Sequence, residues 1–228
     1  MIVKVCGVRT PEIAECAVDA GADWVGVVFE PRSSRHVDDG AAEAVRAALA
    51  GRADLVGVMV EPSAARCREL ARRHRLAAVQ LHGRVEPGVV GDVDVTVIRA
   101  VNPDDRRAAF TQEWWPDCLL LLDSAAPAAG ALPGGTGIPM DLDTAAEVAA
   151  HRPIILAGGL TPDSVATAIE RVRPYGVDAS SGLESAPGVK DPGRVRDFVT
   201  AARGAFAAVE ARRLQPAAVG AGRGGGRR

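Results

Sequence analysis

Aromatic residues are scarce in this chain, making up 4% of 228 residues, with a single tyrosine. A core without large rings must be built from small and branched side chains, and alanine, valine and glycine supply them. Cysteine is sparse as well. Cys6, Cys16, Cys67 and Cys118 form no CxxC pair, and the four histidines form no cluster with ligand spacing, which argues against a disulfide framework and against a metal centre. No apolar run approaches the ~20 residues that span a bilayer. The opening MIVKVCGVRT lacks the basic, apolar and small-residue segments of a signal peptide. A formal net charge of −2 gives no global pull toward nucleic acid or anionic lipid. These absences lead to the expectation of a cytoplasmic protein with free thiols, with neither a membrane nor a nucleic-acid partner.

What is present is a rhythm. Short β-branched runs occupy Val3–Cys6, Trp24–Phe29, Leu55–Val60, Ala78–Leu81, Val93–Ala100, Leu119–Asp123, Ile154–Ala157 and Gly176–Asp178. Between them lie stretches of helical periodicity at Pro11–Ala20, Asp39–Leu49, Ser63–His74, Leu142–His151, Pro162–Val172 and Pro192–Ala207. Helix starts are marked by Thr10 before Pro11, by Ser63 after Pro62 and by Thr161 before Pro162. The segments after strands four and five carry weaker helix signals.

Strands that alternate with helices imply parallel pairing, because a parallel crossover needs a connecting element. The strands are nearly continuous apolar runs, as expected when both faces are covered. Eight such units in a chain of this length predict a single (β/α)8 TIM barrel over residues 1–207, since such barrels take roughly 200–250 residues. Residues 208–228, ending in GAGRGGGRR, predict a disordered tail. The Pro/Gly-rich stretch Ser124–Pro139 follows a strand and predicts a long loop at the mouth of the barrel.

Barrel enzymes place their chemistry at the C-terminal ends of the strands. Here those ends carry Cys6-Gly7, Ser34-Arg35-His36, His82-Gly83, Asp123-Ser124, Gly158-Gly159 and Ser180-Ser181-Gly182. The glycine and serine loops after strands seven and eight suit a phosphate, because backbone N–H groups can approach an anion closely there. Cys6 is either a small buried hydrophobe or a thiolate base. Asp123 ends an apolar run, so its carboxyl is expected to hold its proton near neutral pH and to act as an acid; the alternative is a loop-ordering aspartate. Arg35 is the candidate cation for a substrate carboxylate. His82 is a second acid/base, a hydrogen-bond donor to substrate, or a structural histidine. Cys16, Cys67 and His74 fall on helices and are expected to be packing or surface residues.

The ordered set Lys4-Val-Cys-Gly-Val, Gly21-Ala-Asp-Trp-Val-Gly-Val-Val-Phe with Ser34-Arg35, Val79-Gln-Leu-His-Gly, Leu122-Asp123, Gly134-Gly-Thr-Gly, Leu156-Ala-Gly-Gly-Leu-Thr-Pro, Val177-Asp-Ala-Ser-Ser-Gly-Leu-Glu and Gly188-Val-Lys-Asp resembles the phosphoribosylanthranilate isomerases of tryptophan biosynthesis, from about residue 2 to 205. The resemblance implies an Amadori rearrangement of N-(5-phosphoribosyl)anthranilate to 1-(2-carboxyphenylamino)-1-deoxyribulose 5-phosphate, with no cofactor and no metal. It implies Asp123 as general acid, Cys6 as general base and Arg35 beside the anthranilate carboxylate. It further implies a phosphate held by Gly158, Gly159, Ser180, Ser181 and Gly182, with Asp178 and His82 also on the substrate. The partner would be a small phosphorylated molecule, and the chain a monomer or homodimer.

Three departures from the family pattern stand out: Arg9 precedes Thr10 after the Cys-Gly-Val triplet, Met59 stands at an aromatic position, and Met140-Asp141-Leu142 replaces Phe-Asp-Trp. They leave two alternatives open, a paralogue that takes a different N-phosphoribosyl amine and a non-catalytic phosphate-ligand binding protein. An aminoaldose isomerase of the histidine pathway would carry aspartate where Cys6 stands, and a ribulose-phosphate epimerase would need metal-binding His and Asp residues at strand ends.

Overall fold

A computed structural model describes residues 1–86, 88–102, 118–124 and 140–214. Eight parallel strands close into a barrel in sequential order: β1 Ile2–Cys6, β2 Trp24–Val28, β3 Asp54–Val60, β4 Ala78–His82, β5 Thr96–Val101, β6 Leu119–Leu122, β7 Ile154–Leu156 and β8 Gly176–Ala179. The helices around them are α1 Pro11–Asp19, α2 Asp39–Leu49, α3 Ala64–His74, the single turn α4 Gly88–Gly91, α5 Leu142–His151, α6 Val165–Val172 and α7 Pro192–Leu214. A small antiparallel hairpin, β9 Glu184–Ala186 and β10 Val189–Lys190, follows β8 and a 3-10 turn at Ser181–Leu183. The (β/α)8 barrel is therefore the architecture that the alternating runs predict. Among the described residues no helix is long and apolar enough to cross a membrane.

The side-chain period of two sorts each strand into an outer and an inner face. In β1, Val3 and Val5 join the large cluster that packs against the helices, while Lys4 and Cys6 belong to the interior. Val56, Ala78, Ile98, Ala100, Leu121 and Ile155 fill the interior with small and branched side chains. Met59 and Met140 both lie in the outer cluster. These two positions, where the family resemblance leads one to expect aromatics, therefore say little about the mouth.

Helix starts follow local chemistry. Asp38 and Ser63 accept backbone N–H groups of Ala41 and Arg66, and Asp141 accepts those of Asp143 and Thr144. Thr10 makes no cap bond, and Pro11, which has no N–H to satisfy, opens α1.

Several boundaries differ from the sequence expectation. Thr161 does not cap α6; it exchanges hydrogen bonds with Ser164 in a turn, and the helix starts at Val165. Val93 is buried but sits ahead of β5, which begins at Thr96 after the α4 turn. Each strand end at Phe29, Asp123 and Ala157 falls one residue outside β2, β6 and β7. Helix α7 continues past Ala207 to Leu214, because Ala, Glu and Arg favour helix and no Gly or Pro intervenes. The remainder of the expected tail, 215–228, and the loop 125–139 lie outside the described residues.

The barrel closes where β1 pairs with β8, with Ile2 opposite Gly176 and Lys4 opposite Asp178. A Cβ on Gly176 would lie 2.9 Å from both Cβ and the carbonyl oxygen of Ile2. Gly176→Ala is therefore expected to destabilise the fold by about 1–3 kcal/mol through overpacking at the seam. Exposed Gly204 in α7 has nothing within 4 Å of such a Cβ, and Gly204→Ala is expected to add about 0.5–1 kcal/mol through helix propensity. Urea unfolding of both variants checks the pair.

Candidate active site

At the C-terminal ends of the strands lies a cavity of about 360 Å³. Cys6, Arg35, His82, Asp123, Gly158, Gly159, Asp178, Ser180 and Ser181 all border it, so the structure brings together nine of the ten residues singled out from sequence. Gly182 is the exception. It sits in the 3-10 turn, where a Cβ would collide with the Leu160 carbonyl oxygen, so what it contributes is the close approach of the strand-eight loop to the strand-seven loop. Gly158 and Gly159 both have left-handed backbone, with φ of 82° and 65°. A Cβ on Gly158 would strike the backbone nitrogen of Ser124 at 2.6 Å, so only glycine lets this loop pass behind the Asp123 segment.

Asp123 stands just beyond β6. Burial raises its pKa from 3.8 to about 6, nearby Asp178 adds to the rise, and the Ser124 N–H with Lys4 and Arg35 opposes it. The carboxyl thus keeps its proton far closer to neutrality than a surface aspartate. Cys6 is 6% exposed at the end of β1. Burial pushes its thiol up, Asp178 pushes the same way, and Lys4 and Lys190 pull it down. The resting form is the thiol, so the surroundings do not lower its pKa as a ready-made thiolate would require. Arg9 does not supply the compensation either: it is exposed and reaches the Gly188 carbonyl at 3.4 Å.

His82 is buried, and its Nε2 lies 2.7 Å from the Gln80 amide nitrogen. Burial, Lys4 and Arg99 depress its pKa to about 3. The imidazole is therefore neutral, suited to hydrogen bonding and not to carrying a proton between groups. His74, on α3, is buried against Phe29 with ring centroids 5.1 Å apart and bonds Asp39, so of packing and surface it takes the packing role.

Three charged residues lie within the motifs quoted from sequence but were given no role there. Lys4 is fully buried and pairs with Asp178 at 3.0 Å. Glu184 receives Arg35 Nε at 2.7 Å and Nη2 at 2.9 Å, and Lys190 Nζ at 2.5 Å. Burial pushes the Glu184 carboxyl up, but these two cations outweigh it and hold the group below the ordinary carboxylate range. Arg35 is thus braced by an acid from 149 residues along the chain. The strand period holds one clue: Lys4 shares the inward face with Cys6, two residues on. Glu184 and Lys190 stand in family motifs, but no local pattern announces that they pair with each other and with Arg35. Among the described residues no group of three or more His, Cys, Asp or Glu side chains is arranged to hold a metal ion.

A (β/α)8 fold with a buried carboxyl, a buried thiol and tight glycine loops gathered at one mouth has the layout of a barrel enzyme, whose site lies at the C-terminal ends of its strands. Comparison with known proteins makes this specific. The family model for N-(5'-phosphoribosyl)anthranilate isomerase matches residues 3–201. The isomerase of that name from Geobacter sulfurreducens is 43% identical over 202 residues, covering 89% of this chain and 98% of its own length. The one from Roseiflexus castenholzii is 46% identical over 217 residues, covering 90% and 99%. The crystal structure of the Thermotoga maritima isomerase matches with a TM-score of 0.78 at 34% identity, over 90% of this chain and all of that one. A second isomerase structure, in complex with reduced 1-(o-carboxyphenylamino)-1-deoxyribulose 5-phosphate, matches at 0.76 and 32%, again over 90% of this chain. The chain belongs to the N-(5'-phosphoribosyl)anthranilate isomerase family.

The raised Asp123 pKa carries a stability consequence. Below 3.8 the group is neutral folded and unfolded alike; between 3.8 and about 6 only the unfolded chain releases the proton. Folding stability is therefore lost as pH rises through that window. Asp123→Asn, which cannot ionise, should match wild type near pH 4 and exceed it by about 2–3 kcal/mol above pH ~6. Urea unfolding midpoints across this range check the prediction.

Proposed function

We propose that this chain converts N-(5'-phosphoribosyl)anthranilate to 1-(2-carboxyphenylamino)-1-deoxyribulose 5-phosphate in tryptophan biosynthesis, with Asp123 as general acid and Cys6 as general base. The observation that carries the assignment is the pair itself, an aspartate that keeps its proton to about pH 6 and a thiol, bordering one cavity.

The acid acts first. Asp123 gives its proton to the furanose ring oxygen, the C1′–O4′ bond breaks, and the amine nitrogen lone pair forms a C1′=N⁺ Schiff base. Cys6, as thiolate, removes the proton from C2′, and that electron pair forms the C1′=C2′ bond of an enolamine while nitrogen recovers its lone pair. Loss of the C2′ hydroxyl proton and protonation of C1′ give the ketose. Nothing is lost or gained overall, so the reaction needs only groups that lend and take protons.

Burial raises both partners, so the base is the weaker acid of the two. Turnover then runs through the minor fraction in which Asp123 keeps its proton and Cys6 has lost its own. The cationic Schiff base favours that thiolate once the ring is open.

Arg35 is assigned to the anthranilate carboxylate. Glu184 takes its Nε and Nη2, and the remaining nitrogen, Nη1, is the one assigned to substrate. Gly158, Gly159, Ser180 and Ser181 are assigned to the phosphate, and neutral His82 to a substrate hydroxyl. A thiol base needs a reducing compartment, which accords with the cytoplasm.

Cys6→Ser and Asp123→Asn should each fold and each lower kcat by about 10²–10⁴, the range for removing one acid or base. Steady-state assays with the phosphoribosyl substrate read this directly, and near-wild-type turnover in either variant overturns that residue's role. The substrate is tested by growth: the gene should rescue a tryptophan auxotroph that lacks the isomerase.

A further inference from the structure

A charged lysine in the interior of a barrel needs a reason. Desolvating an ammonium is costly, and a buried ion pair is often no more stabilising than a well-packed apolar pair. Lys4 nevertheless has no solvent exposure, and its ammonium is kept charged against that burial by Asp178 and Cys6. Its position is informative. Lys4 and Cys6 are two residues apart on one strand, so both point inward. Across the seam, Asp178 Oδ1 receives Lys4 Nζ at 3.0 Å. On the other side, β2 places Gly26 directly opposite Cys6. A Cβ on Gly26 would lie 2.9 Å from Cys6 Sγ and 3.2 Å from Lys4 Nζ, so sulfur and ammonium share the space that this glycine leaves free.

We propose that Lys4 is a positioning residue for the isomerisation: its ammonium, anchored by Asp178 across the β1–β8 seam, holds the Cys6 sulfur and supplies the fixed positive charge against which the thiolate forms. This rests on Cys6 being the base. The other elements around the sulfur offer little competition. Strands β2 and β3 present Gly26, Val28 and Val58, none of them titratable. Strand β8 presents Asp178, which opposes the thiolate, and the β10 strap presents Lys190, which favours it less strongly than Lys4 does. Lys190 is also drawn to Glu184 at 2.5 Å, and Asp123 stands at the end of β6 on the same cavity. Lys4 therefore acts through Cys6 without touching substrate. Its contribution is largest where water is excluded, because an unscreened charge is felt most strongly there.

The test is the rate at which iodoacetamide alkylates Cys6, followed peptide by peptide by mass spectrometry from about pH 7 to about pH 10, a range that brackets the ordinary thiol value. Lys4→Met should displace the alkylation profile upward by at least one pH unit, so that at a fixed pH Cys6 reacts at least tenfold more slowly, with the rate still rising with pH. The double variant Lys4→Met/Asp178→Asn leaves no unpaired buried charge, so it stays informative if the single variant does not fold. Because Lys4 outweighs Asp178, its profile should lie between those of wild type and Lys4→Met. The kcat of folded Lys4→Met should fall with KM changed little, and the alkaline pH above which kcat declines should move upward with the alkylation profile, which a merely structural role would not produce. A profile unchanged or displaced downward in either folded variant overturns the proposal. If Cys6→Ser instead retains turnover, the base assignment fails on its own, while the alkylation profile still reports what Lys4 does to the thiol.

Discussion

Lys4 and Asp178 are 174 residues apart in sequence and 3.0 Å apart in space, at the seam where the first and last barrel strands pair. Much of the mouth depends on that closure. Bringing β8 against β1 sets Ser180 and the β9–β10 hairpin beside Gly7, where an added Cβ would meet Arg35, Ser180 and Lys190 all within 3.2 Å. Lys190 and Arg35 then converge on Glu184. Two ion-pair systems thus lie side by side, one under Cys6 and one along the rim. Burying them is costly, and each charge has a partner because a lone one would be far costlier.

The same exclusion of water sets the protonation states. Asp123 is held near 6 and Cys6 above its ordinary value, while His82 is driven to about 3. In each case burial is the first cause, and it disfavours whichever form bears the charge. An acid that holds its proton to about pH 6, a neutral imidazole and a reluctant thiol are what a dry polar pocket yields without further design. What differentiates them is the local cations. On the proposed assignment the base is the group that needs help, and Lys4 and Lys190 stand where that help would come from. The arrangement trades stability for chemistry, since an aspartate that resists ionisation weakens the fold at neutral pH.

The barrel was legible because its signal is repeated: eight apolar runs and six helical stretches cannot readily be arranged otherwise, and α2 and α5 begin and end where their periodicity says. Errors fall where local pattern and tertiary packing diverge. Val93 looks like strand because it is apolar, yet it reaches the core from a turn, and α7 runs on because nothing in its sequence stops it. At the mouth, the places of Cys6 and Asp123 beside the cavity could be read from their positions at strand ends. Those of Lys4, Glu184 and Lys190 could not, because a buried charge is recognisable only by its partner, and apart from the Glu184–Lys190 contact those partners come from the other end of the chain. Met59 and Met140 mislead in the opposite sense: both suggest a mouth poor in aromatics, and both lie in the outer core.

On the proposed assignment, closure of the barrel presents one acid and one base to the same sugar. A crystal structure of this protein with reduced 1-(o-carboxyphenylamino)-1-deoxyribulose 5-phosphate tests it most directly. The phosphate is expected against the Gly158–Gly159 and Ser180–Ser181 loops, the carboxylate on Arg35, Cys6 Sγ in contact with C2′ and an Asp123 oxygen within hydrogen-bonding distance of O4′. A ligand bound with its phosphate on those loops but with C2′ turned away from Cys6 would contradict it.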